Sequence, residues 1–240
     1  MNAITVDIGN TFIKYTRFEN DVFVENGVCQ HESELIAYIN KYNYSTIVSS
    51  VGKNEGDLAE LASNANYNVF FLNRNSKCPF ESAYDFNTLG FDRIAFIAGL
   101  LDEYKAIPLL GIDMGTCITY DYINSSGYHL GGAISPGIKL RFKAMHDFTA
   151  KLPLIKEIEK SPMIGVSTQQ AMNSGVLEGI IAEINARIID FQQKEPNLQV
   201  VICGGDAVFL QDYLLSNVIY SPQIVSKGLF SILKYNAYIK

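Results

Sequence analysis

The sequence predicts an α/β fold in two similar halves, and three observations favour it. The chain has 240 residues, 48% of them hydrophobic and 18% charged, which is enough for one large domain or two small ones with packed cores. Short β-branched and aromatic runs alternate with stretches of helical spacing. A hydrophobic run that ends in Asp-x-Gly occurs twice, at Asp7 and at Asp113. We therefore predict two domains, residues 1–107 and 108–240, each opening with three strands, and a ligand cleft between them.

The first half begins with two strands around a tight Gly-Asn turn, because β-branched and aromatic residues flank that pair. Leu35 and Ile39 lie at helical spacing, and so do Ile94 and Ile97 in a second, strongly apolar stretch. The predicted strands are residues 3–8, 12–18, 22–24, 46–51 and 68–72, and the predicted helices are residues 32–42, 57–66 and 91–104.

The same order of elements restarts after Pro108. A turn at residues 124–127 separates the second and third strands of this half, and Ser135 with Pro136 can cap and start a helix. The predicted strands are residues 109–114, 117–122, 128–133 and 199–203, and the predicted helices are residues 135–148, 168–193, 207–215 and 228–239.

The composition disfavours several classes of protein. The formal net charge is −6, which argues against nucleic acid as a partner. The longest apolar run, residues 94–101, is shorter than the about 18 residues of a membrane span. No basic signal-peptide start is present, so the cytoplasm is the expected location. The cysteines are too scattered to favour disulfides or a zinc site; they are Cys29, Cys78, Cys117 and Cys203.

The first Asp-x-Gly segment is a candidate site for phosphate and metal. Asp7 would end a strand beside the open backbone of Gly9, where a carboxylate can hold Mg²⁺ and the turn can cradle phosphate. Asn10 and Thr11 can add hydrogen bonds to phosphate oxygens, and Lys14 can neutralise phosphate charge. For this segment taken alone, the alternative is an ordinary type I′ hairpin.

The second segment strengthens the first interpretation, because independent hairpins have no reason to share Asp-x-Gly. In the segment Asp113-x-Gly115-Thr116-x-x-Thr119-x-Asp121, polar groups would alternate along a strand and gather at one end of it. Two such segments facing each other can clamp a polyphosphate and its metal. Glycine clusters at residues 131–137 and 204–206 are further candidate anion sites, or simple strand-to-helix connections.

A candidate substrate site lies in Gly90–Arg93, at the start of a predicted helix. The carboxylate of Asp92 can act as a general base, and the guanidinium of Arg93 can bind a substrate oxygen. The alternative is an aspartate that complements the helix dipole beside a surface arginine.

Taken in order, these segments resemble the type III pantothenate kinases of the acetate-and-sugar-kinase, Hsp70 and actin superfamily. The resemblance spans nearly the whole chain and is carried by five motifs: residues 7–11, 90–93, 113–121, 131–137 and 204–206. It implies an α/β architecture of two ribonuclease-H-like, actin-like domains with mixed five-stranded sheets flanked by helices. It also implies a homodimer that uses ATP to phosphorylate pantothenate to 4′-phosphopantothenate, the first step of coenzyme A synthesis.

The resemblance also implies roles for individual residues. Asp92 would accept the proton of the pantothenate hydroxyl, Asp113 would bind a monovalent cation, K⁺ or NH₄⁺, and Mg²⁺ would accompany ATP. The implied ATP site comprises Asp7, Ile8, Gly9, Asn10, Thr11, Phe12, Ile13, Lys14 and Thr116. The implied pantothenate site comprises Tyr84, Gly90, Phe91, Asp92, Arg93 and Thr168, the last donated across a dimer interface.

The segment before Gly90 departs from the family pattern. Tyr84 stands six residues before Gly90, whereas the family usually has its tyrosine seven residues before this glycine. The intervening residues also lack the proline that is usual there. Tyr84 is therefore the implied substrate contact whose position differs most from the family pattern.

Three other functions stay open on the sequence. They are a non-catalytic accessory protein similar to the Bvg accessory factor, a kinase of the same superfamily with another substrate, and an actin- or Hsp70-like ATPase. The short chain leaves little room for the extra subdomains of such ATPases. Retention of Asp7, Asp92 and Asp113 argues against an inactive protein.

Overall fold

The described residues form two mixed five-stranded sheets flanked by helices, as the family resemblance implies. The computed structural model describes residues 1–9, 12–50, 63, 69–215 and 217–238. The predicted helix at residues 57–66 therefore lies outside the described residues, apart from Ser63, and so do Asn10 and Thr11. Among the described residues, no helix combines the length and the apolar character that crossing a membrane requires.

The described strands and helices are numbered in chain order. The strands are β1 (Ala3–Ile8), β2 (Ile13–Glu19), β3 (Val22–Cys29), β4 (Ser45–Ser50), β5 (Val69–Phe71), β6 (Leu109–Met114), β7 (Cys117–Ile123), β8 (His129–Pro136), β9 (Gln199–Cys203) and β10 (Val218–Tyr220). The helices are α1 (Glu32–Tyr42), α2 (Phe91–Glu103), α3 (Ile138–Asp147), α4 (Thr168–Lys194), α5 (Ala207–Leu210) and α6 (Ile224–Tyr238), and a 3₁₀ turn, Gln211–Tyr213, follows α5.

Two compact units make up the chain. Unit 1 consists of Met1–Lys105, Gly127–His129 and Gln223–Lys240, and unit 2 consists of Ala106–Ser126 and Leu130–Pro222. The units differ from the predicted domains chiefly at the carboxyl end, because α6 packs against α2, β1 and β4 of unit 1.

Unit 1 is built on a sheet with the strand order β3-β2-β1-β4-β5. The central strand β1 runs antiparallel to β2 and parallel to β4. Every residue of β1 is buried except Asp7, which is half-buried, because helices cover both faces of this strand. One face forms a core in which Ile4, Val6 and Ile8 pack with Leu35 of α1.

Unit 2 repeats this topology. Its strand order is β10-β9-β6-β7-β8, and the central strand β6 runs antiparallel to β7 and parallel to β9. Each strand of the second sheet therefore takes the place of one strand of the first, with β6 in the place of β1. Its core joins Ile112 and Met114 of β6 to Ile180 and Ile184 of α4. The internal repeat predicted from Asp-x-Gly is a repeat of the fold.

Some predicted boundaries are wrong. Ser135 and Pro136 do not start a helix but continue β8, and Gly137 is the N-cap residue of α3. The predicted helix at residues 207–215 is a four-residue α5 followed by a 3₁₀ turn. The last helix begins at Ile224 rather than at Gly228, and β10 was not predicted.

Candidate active site

Asp7 lies near the end of β1, at the centre of the first sheet. It is opposite Lys14 on β2 and beside Ser49 on β4. Paired positions of neighbouring strands share a face of the sheet, so the three side chains project on the same side. Asp7 Oδ1 is buried and has no hydrogen-bond partner among the residues that the structure describes. Such an atom is unusual in a folded protein and marks a place where a ligand can bind.

Electrostatics at Asp7 favour the arrival of positive charge. Burial raises the pKa of Asp7 to about 6, and the negative charge of Asp92 raises it further against the opposing effect of Lys14. The negative charge of Asp92 therefore disfavours ionisation of the Asp7 carboxyl. A cation bound beside Asp7 would relieve both the desolvation and this repulsion.

The positively charged residue paired with Asp7 is Lys14, on β2. The backbone N–H of Gly9 donates to the carbonyl of Phe12 over 3.1 Å, which links the end of β1 to the residue before β2. Lys14 and Phe12 are exposed. Lys14 is therefore free to approach an anion in solution while its backbone stays fixed in the sheet.

Gly90–Arg93 forms the start of α2, with Gly90 as the N-cap residue and Asp92 in the first turn. The backbone N–H of Arg93 donates to Asp92 Oδ1 over 2.8 Å. A Cβ at Gly90 would overlap that same oxygen, so only glycine leaves room for the carboxylate in this position. The side chain of Asp92, two residues later, thus gives a physical reason for a glycine at position 90.

Arg93 is not the surface residue that the alternative interpretation assumes. Only 4% of it is exposed, and its guanidinium carbon lies 4.8 Å from the centre of the Tyr84 ring. This is a cation–π contact. The structure therefore brings Tyr84 and Arg93 together, although the segment between Tyr84 and Gly90 is one residue shorter than the family pattern.

The second Asp-x-Gly segment lies at the corresponding place in unit 2. Asp113 is paired with Thr119 on β7 and with Cys203 on β9. Thr119 Oγ1 is buried and lacks a hydrogen-bond partner in the described part of the chain. In the described structure, each Asp-x-Gly strand end therefore has a buried oxygen without a hydrogen-bond partner, at Asp7 itself in unit 1 and at Thr119 beside Asp113 in unit 2.

Glycine is required beside Asp113 as well. Gly204 has φ of +95°, and a Cβ there would lie 2.5 Å from Asp113 Oδ1 and would overlap the carbonyl of Met114. The backbone N–H of Asp206 donates to that carbonyl over 3.0 Å. The Gly204–Asp206 segment is thus held against the end of β6.

Two further loop ends meet at this edge of unit 2. The N–H of Gly137 donates to the carbonyl of Thr116 over 3.0 Å, and Thr116 is exposed. Asp206 accepts a hydrogen bond from the backbone of Ile138, and burial raises the pKa of its carboxyl against the opposing charge of Lys139. The glycines of this region were predicted from the sequence as a candidate anion site, whereas no motif around Lys139 indicated a role for it.

One polar network near the second glycine cluster was not predicted. Glu183 on α4 accepts hydrogen bonds from Arg141 over 2.5 Å, from Tyr120 over 2.9 Å and from Ser135 over 3.0 Å. Burial alone would raise the pKa of Glu183, but these donors hold it below its usual value. The network fixes the end of β8 against α4, and its members are too far apart in sequence to suggest it.

Thr168 is the first residue of α4 and is exposed. Ser167 caps this helix by accepting the N–H of Gln170 over 3.3 Å. Met163, Ile164 and Val166 precede it with 79%, 82% and 89% of their surface exposed. Thr168 therefore lies next in sequence to a segment of unit 2 whose apolar side chains are exposed to solvent.

The described residues contain no group of three or more His, Cys, Asp or Glu side chains arranged to hold a metal ion. Mg²⁺ differs from zinc in this respect, because it is commonly held by one or two carboxylates together with substrate phosphates and water. Asp7, with its buried unpartnered oxygen, fits such a role.

Comparison of the sequence with known proteins identifies close relatives. The family model described as type III pantothenate kinase matches residues 3–190. The chain is 38% identical to the type III pantothenate kinase of Flavobacterium psychrophilum, over 97% of this chain and 98% of that protein. It is also 38% identical to the enzyme of the same name from Bacteroides fragilis, over 98% of both chains.

Solved structures share the fold at lower sequence identity. A Campylobacter jejuni protein described as a Baf family transcriptional activator has a TM-score of 0.65 and 22% identity, over 98% of this chain and 99% of that chain. A glucokinase from an Antarctic psychrotroph has a TM-score of 0.52 and 10% identity, over 98% and 99% of the two chains. At such identities, these likenesses concern the fold alone.

Proposed function

Because the chain belongs to the type III pantothenate kinase family, we propose that it transfers the γ-phosphate of ATP to the hydroxyl of pantothenate. The product, 4′-phosphopantothenate, enters coenzyme A synthesis. The observation that carries this assignment is the pair of carboxylates in unit 1: Asp7, whose buried Oδ1 has no hydrogen-bond partner among the described residues, and Asp92, whose charge acts on it. Phosphoryl transfer depends mainly on positioning and on neutralising charge, and this pair offers one carboxylate for each task.

Asp7 and Lys14 would receive the phosphates of ATP. The unpartnered Asp7 oxygen would hold Mg²⁺, which when bound would supply positive charge to the phosphate oxygens. Lys14 is exposed on the neighbouring strand and would contact a phosphate oxygen directly. The resemblance adds Ile8–Ile13 and Thr116 to this site.

Asp92 would act as the base. It orients the pantothenate hydroxyl and accepts its proton late, as the phosphoryl group leaves ADP. Its Oδ1 already accepts the N–H of Arg93, which fixes the carboxylate at the start of α2. Arg93 and Tyr84 would contact pantothenate, together with Gly90 and Phe91.

Asp113 would hold the monovalent cation. Because Gly204 has no side chain, a small space remains beside Asp113 Oδ1, and any side chain at position 204 would fill it. A K⁺ or NH₄⁺ ion bound there would supply positive charge that the acidic chain lacks.

The cytoplasmic location stays a prediction, to be tested by cell fractionation.

We also propose that the active form is a homodimer in which Thr168 contacts the substrate of the partner. The exposed apolar side chains of Met163, Ile164 and Val166 beside Thr168 support this, because large exposed apolar patches usually mark interfaces. Ile164→Asp should shift the molar mass measured by light scattering towards the monomer. A wild-type chain that is monomeric at micromolar concentration would contradict the dimer.

The decisive experiment measures ADP release with ATP and Mg²⁺, with and without pantothenate and with K⁺ or Na⁺. Release that requires both pantothenate and K⁺ supports the proposed function. Release without pantothenate would indicate an ATPase, and no release despite measurable ATP binding would indicate an accessory protein.

Asp92→Asn tests the role of the base in the same assay. Turnover should be abolished while ATP binding is largely retained, because the substitution removes the proton acceptor and keeps the shape of the side chain. Asp102→Asn is a matched control, since Asp102 is exposed near the other end of α2. Near wild-type turnover of Asp92→Asn would refute the assignment of the base.

A further inference from the structure

A buried histidine joins the loop that carries Tyr84 to the first residue of β8. The backbone N–H of Ala83 donates to the carbonyl of His129 over 2.9 Å, and the N–H of His129 donates to the carbonyl of Glu81 over 3.0 Å. Their side chains meet as well, because Ser82 Oγ and His129 Nδ1 are 2.6 Å apart. His129 is fully buried, with 0% of its surface exposed. Unlike a surface histidine, it is held by its neighbours in one orientation.

The contact extends directly to Tyr84. Ser82 Oγ accepts the backbone N–H of Tyr84 over 2.9 Å. The Tyr84 ring stacks on the His129 ring with centroids 6.5 Å apart and an angle of 28° between the planes. The Tyr84 ring also receives the guanidinium of Arg93 at 4.8 Å. A continuous chain of contacts therefore runs from His129 through Ser82 and Tyr84 to Arg93.

We propose that His129 is a positioning residue that holds Tyr84, and through it Arg93, in place for pantothenate. This rests on the proposed function, in which Tyr84 and Arg93 contact that substrate. The residues between Tyr84 and Gly90 contain no proline to restrict the backbone, so the loop needs other restraints. The bond between Ser82 and His129 and the stacked rings supply them from a part of the chain more than forty residues away.

The test compares variants that separate the hydrogen bond from the ring. His129→Phe keeps an aromatic ring against Tyr84 but removes the bond to Ser82, and Ser82→Ala removes the hydroxyl shared by His129 and Tyr84. Ser82→Thr retains the hydroxyl and is the conservative rescue. His31→Phe is the matched control, because His31 is exposed before α1 and its side chain makes no capping bond.

We expect the KM for pantothenate to rise roughly 2- to 10-fold in His129→Phe and in Ser82→Ala, which is the effect of about one net hydrogen bond. The KM for ATP should stay unchanged, and Ser82→Thr should restore the value of the wild type. The double variant should be little worse than the stronger single variant, because both remove the same link. Hydrogen exchange at the Tyr84 amide should become faster in His129→Phe.

The outcomes separate this inference from the proposed function. Absence of pantothenate-dependent ADP release in the wild type would overturn the function. Unchanged exchange at Tyr84 in His129→Phe would overturn the positioning, whatever the activity. Faster exchange with an unchanged KM for pantothenate, or an equal rise in the KM of both substrates, would show that His129 has a structural role only.

Discussion

Replacing Asp7 by asparagine is expected to stabilise the folded chain at neutral pH and to abolish its kinase activity. Asp7 is the half-buried carboxylate at the end of β1 whose Oδ1 lacks a hydrogen-bond partner in the described structure. An ionised group in this place costs free energy that a neutral amide of the same shape would not. The variant therefore separates the contribution of Asp7 to stability from its contribution to ligand binding.

The magnitude follows from the pKa. Burial raises the pKa of Asp7 from 3.8 to about 6, with Asp92 adding to the effect and Lys14 opposing it. This difference corresponds to up to roughly 3 kcal/mol of destabilisation when Asp7 is ionised. Because the pKa is higher in the folded chain than in the unfolded chain, the folded chain binds more protons between pH 4 and 6. The penalty is therefore fully present above about pH 6 and absent below about pH 4.

Urea unfolding at pH 7.5 and at pH 4 would measure the difference. Asp7→Asn should raise the free energy of unfolding at the higher pH by up to about 3 kcal/mol, and this gain should vanish at the lower pH. Asp190→Asn, at an exposed carboxylate on α4, should show little change at either pH. A gain that is the same at both pH values, or a loss of stability at pH 7.5, would refute the role assigned to desolvation.

Two further predictions concern glycines and use urea unfolding with paired controls. Gly228→Ala should destabilise the chain by about 1–3 kcal/mol or more, because the added Cβ would overlap the carbonyl of Ala95. Gly175→Ala should be neutral or stabilise by about 0.5–1 kcal/mol, because a Cβ there would have no neighbouring atom within 4 Å. Gly204→Ala should destabilise by about 1–3 kcal/mol, because φ is +95° and a Cβ would meet β6, and should weaken activation by K⁺. Gly205→Ala, which has open space, should do neither. Equal effects within either pair would contradict the packing argument.

The central elements of the fold could be predicted because their signals are local. β1 and β6 match their predicted boundaries residue for residue, since each is a short apolar run ended by Asp-x-Gly. Helix α1 also matches, because its apolar spacing is regular and Asn43 ends it in the left-handed conformation. The repeat of these signals predicted two similar halves, and the two described sheets share one topology.

The elements that sequence reasoning placed wrongly depend on distant contacts. Gly228 suggested the start of the last helix, yet it lies inside α6, where its missing side chain lets the helix approach Ala95 on α2. Only the folded chain shows that this contact draws α6 into unit 1. β3 extends to Cys29, well beyond the predicted Val24, because pairing with β2 compensates for polar residues that weaken the strand signal.

The same distinction applies to the candidate site. Asp7, Asp92 and Asp113 could be selected because each lies in a short segment with glycine nearby. His129 and Glu183 could not, since each acts on residues more than forty positions away along the chain. The burial of Arg93 and its contact with the Tyr84 ring could not be predicted either, because both arise only in the folded chain.

The distribution of unpartnered polar atoms connects stability with function in unit 1. On one face of β1, Ile4, Val6 and Ile8 are packed in an apolar core. On the other face, among the described residues, buried oxygens of Thr5, Asp7 and Ser49 lack hydrogen-bond partners. Thr5 precedes Asp7 by two residues and Ser49 is its partner on β4, so these three atoms belong to one patch. Buried polar atoms without partners destabilise a fold, and a chain that needed only to fold would place apolar side chains there. Their concentration around Asp7 supports the proposal that this face of the central strand binds a charged ligand at the expense of stability.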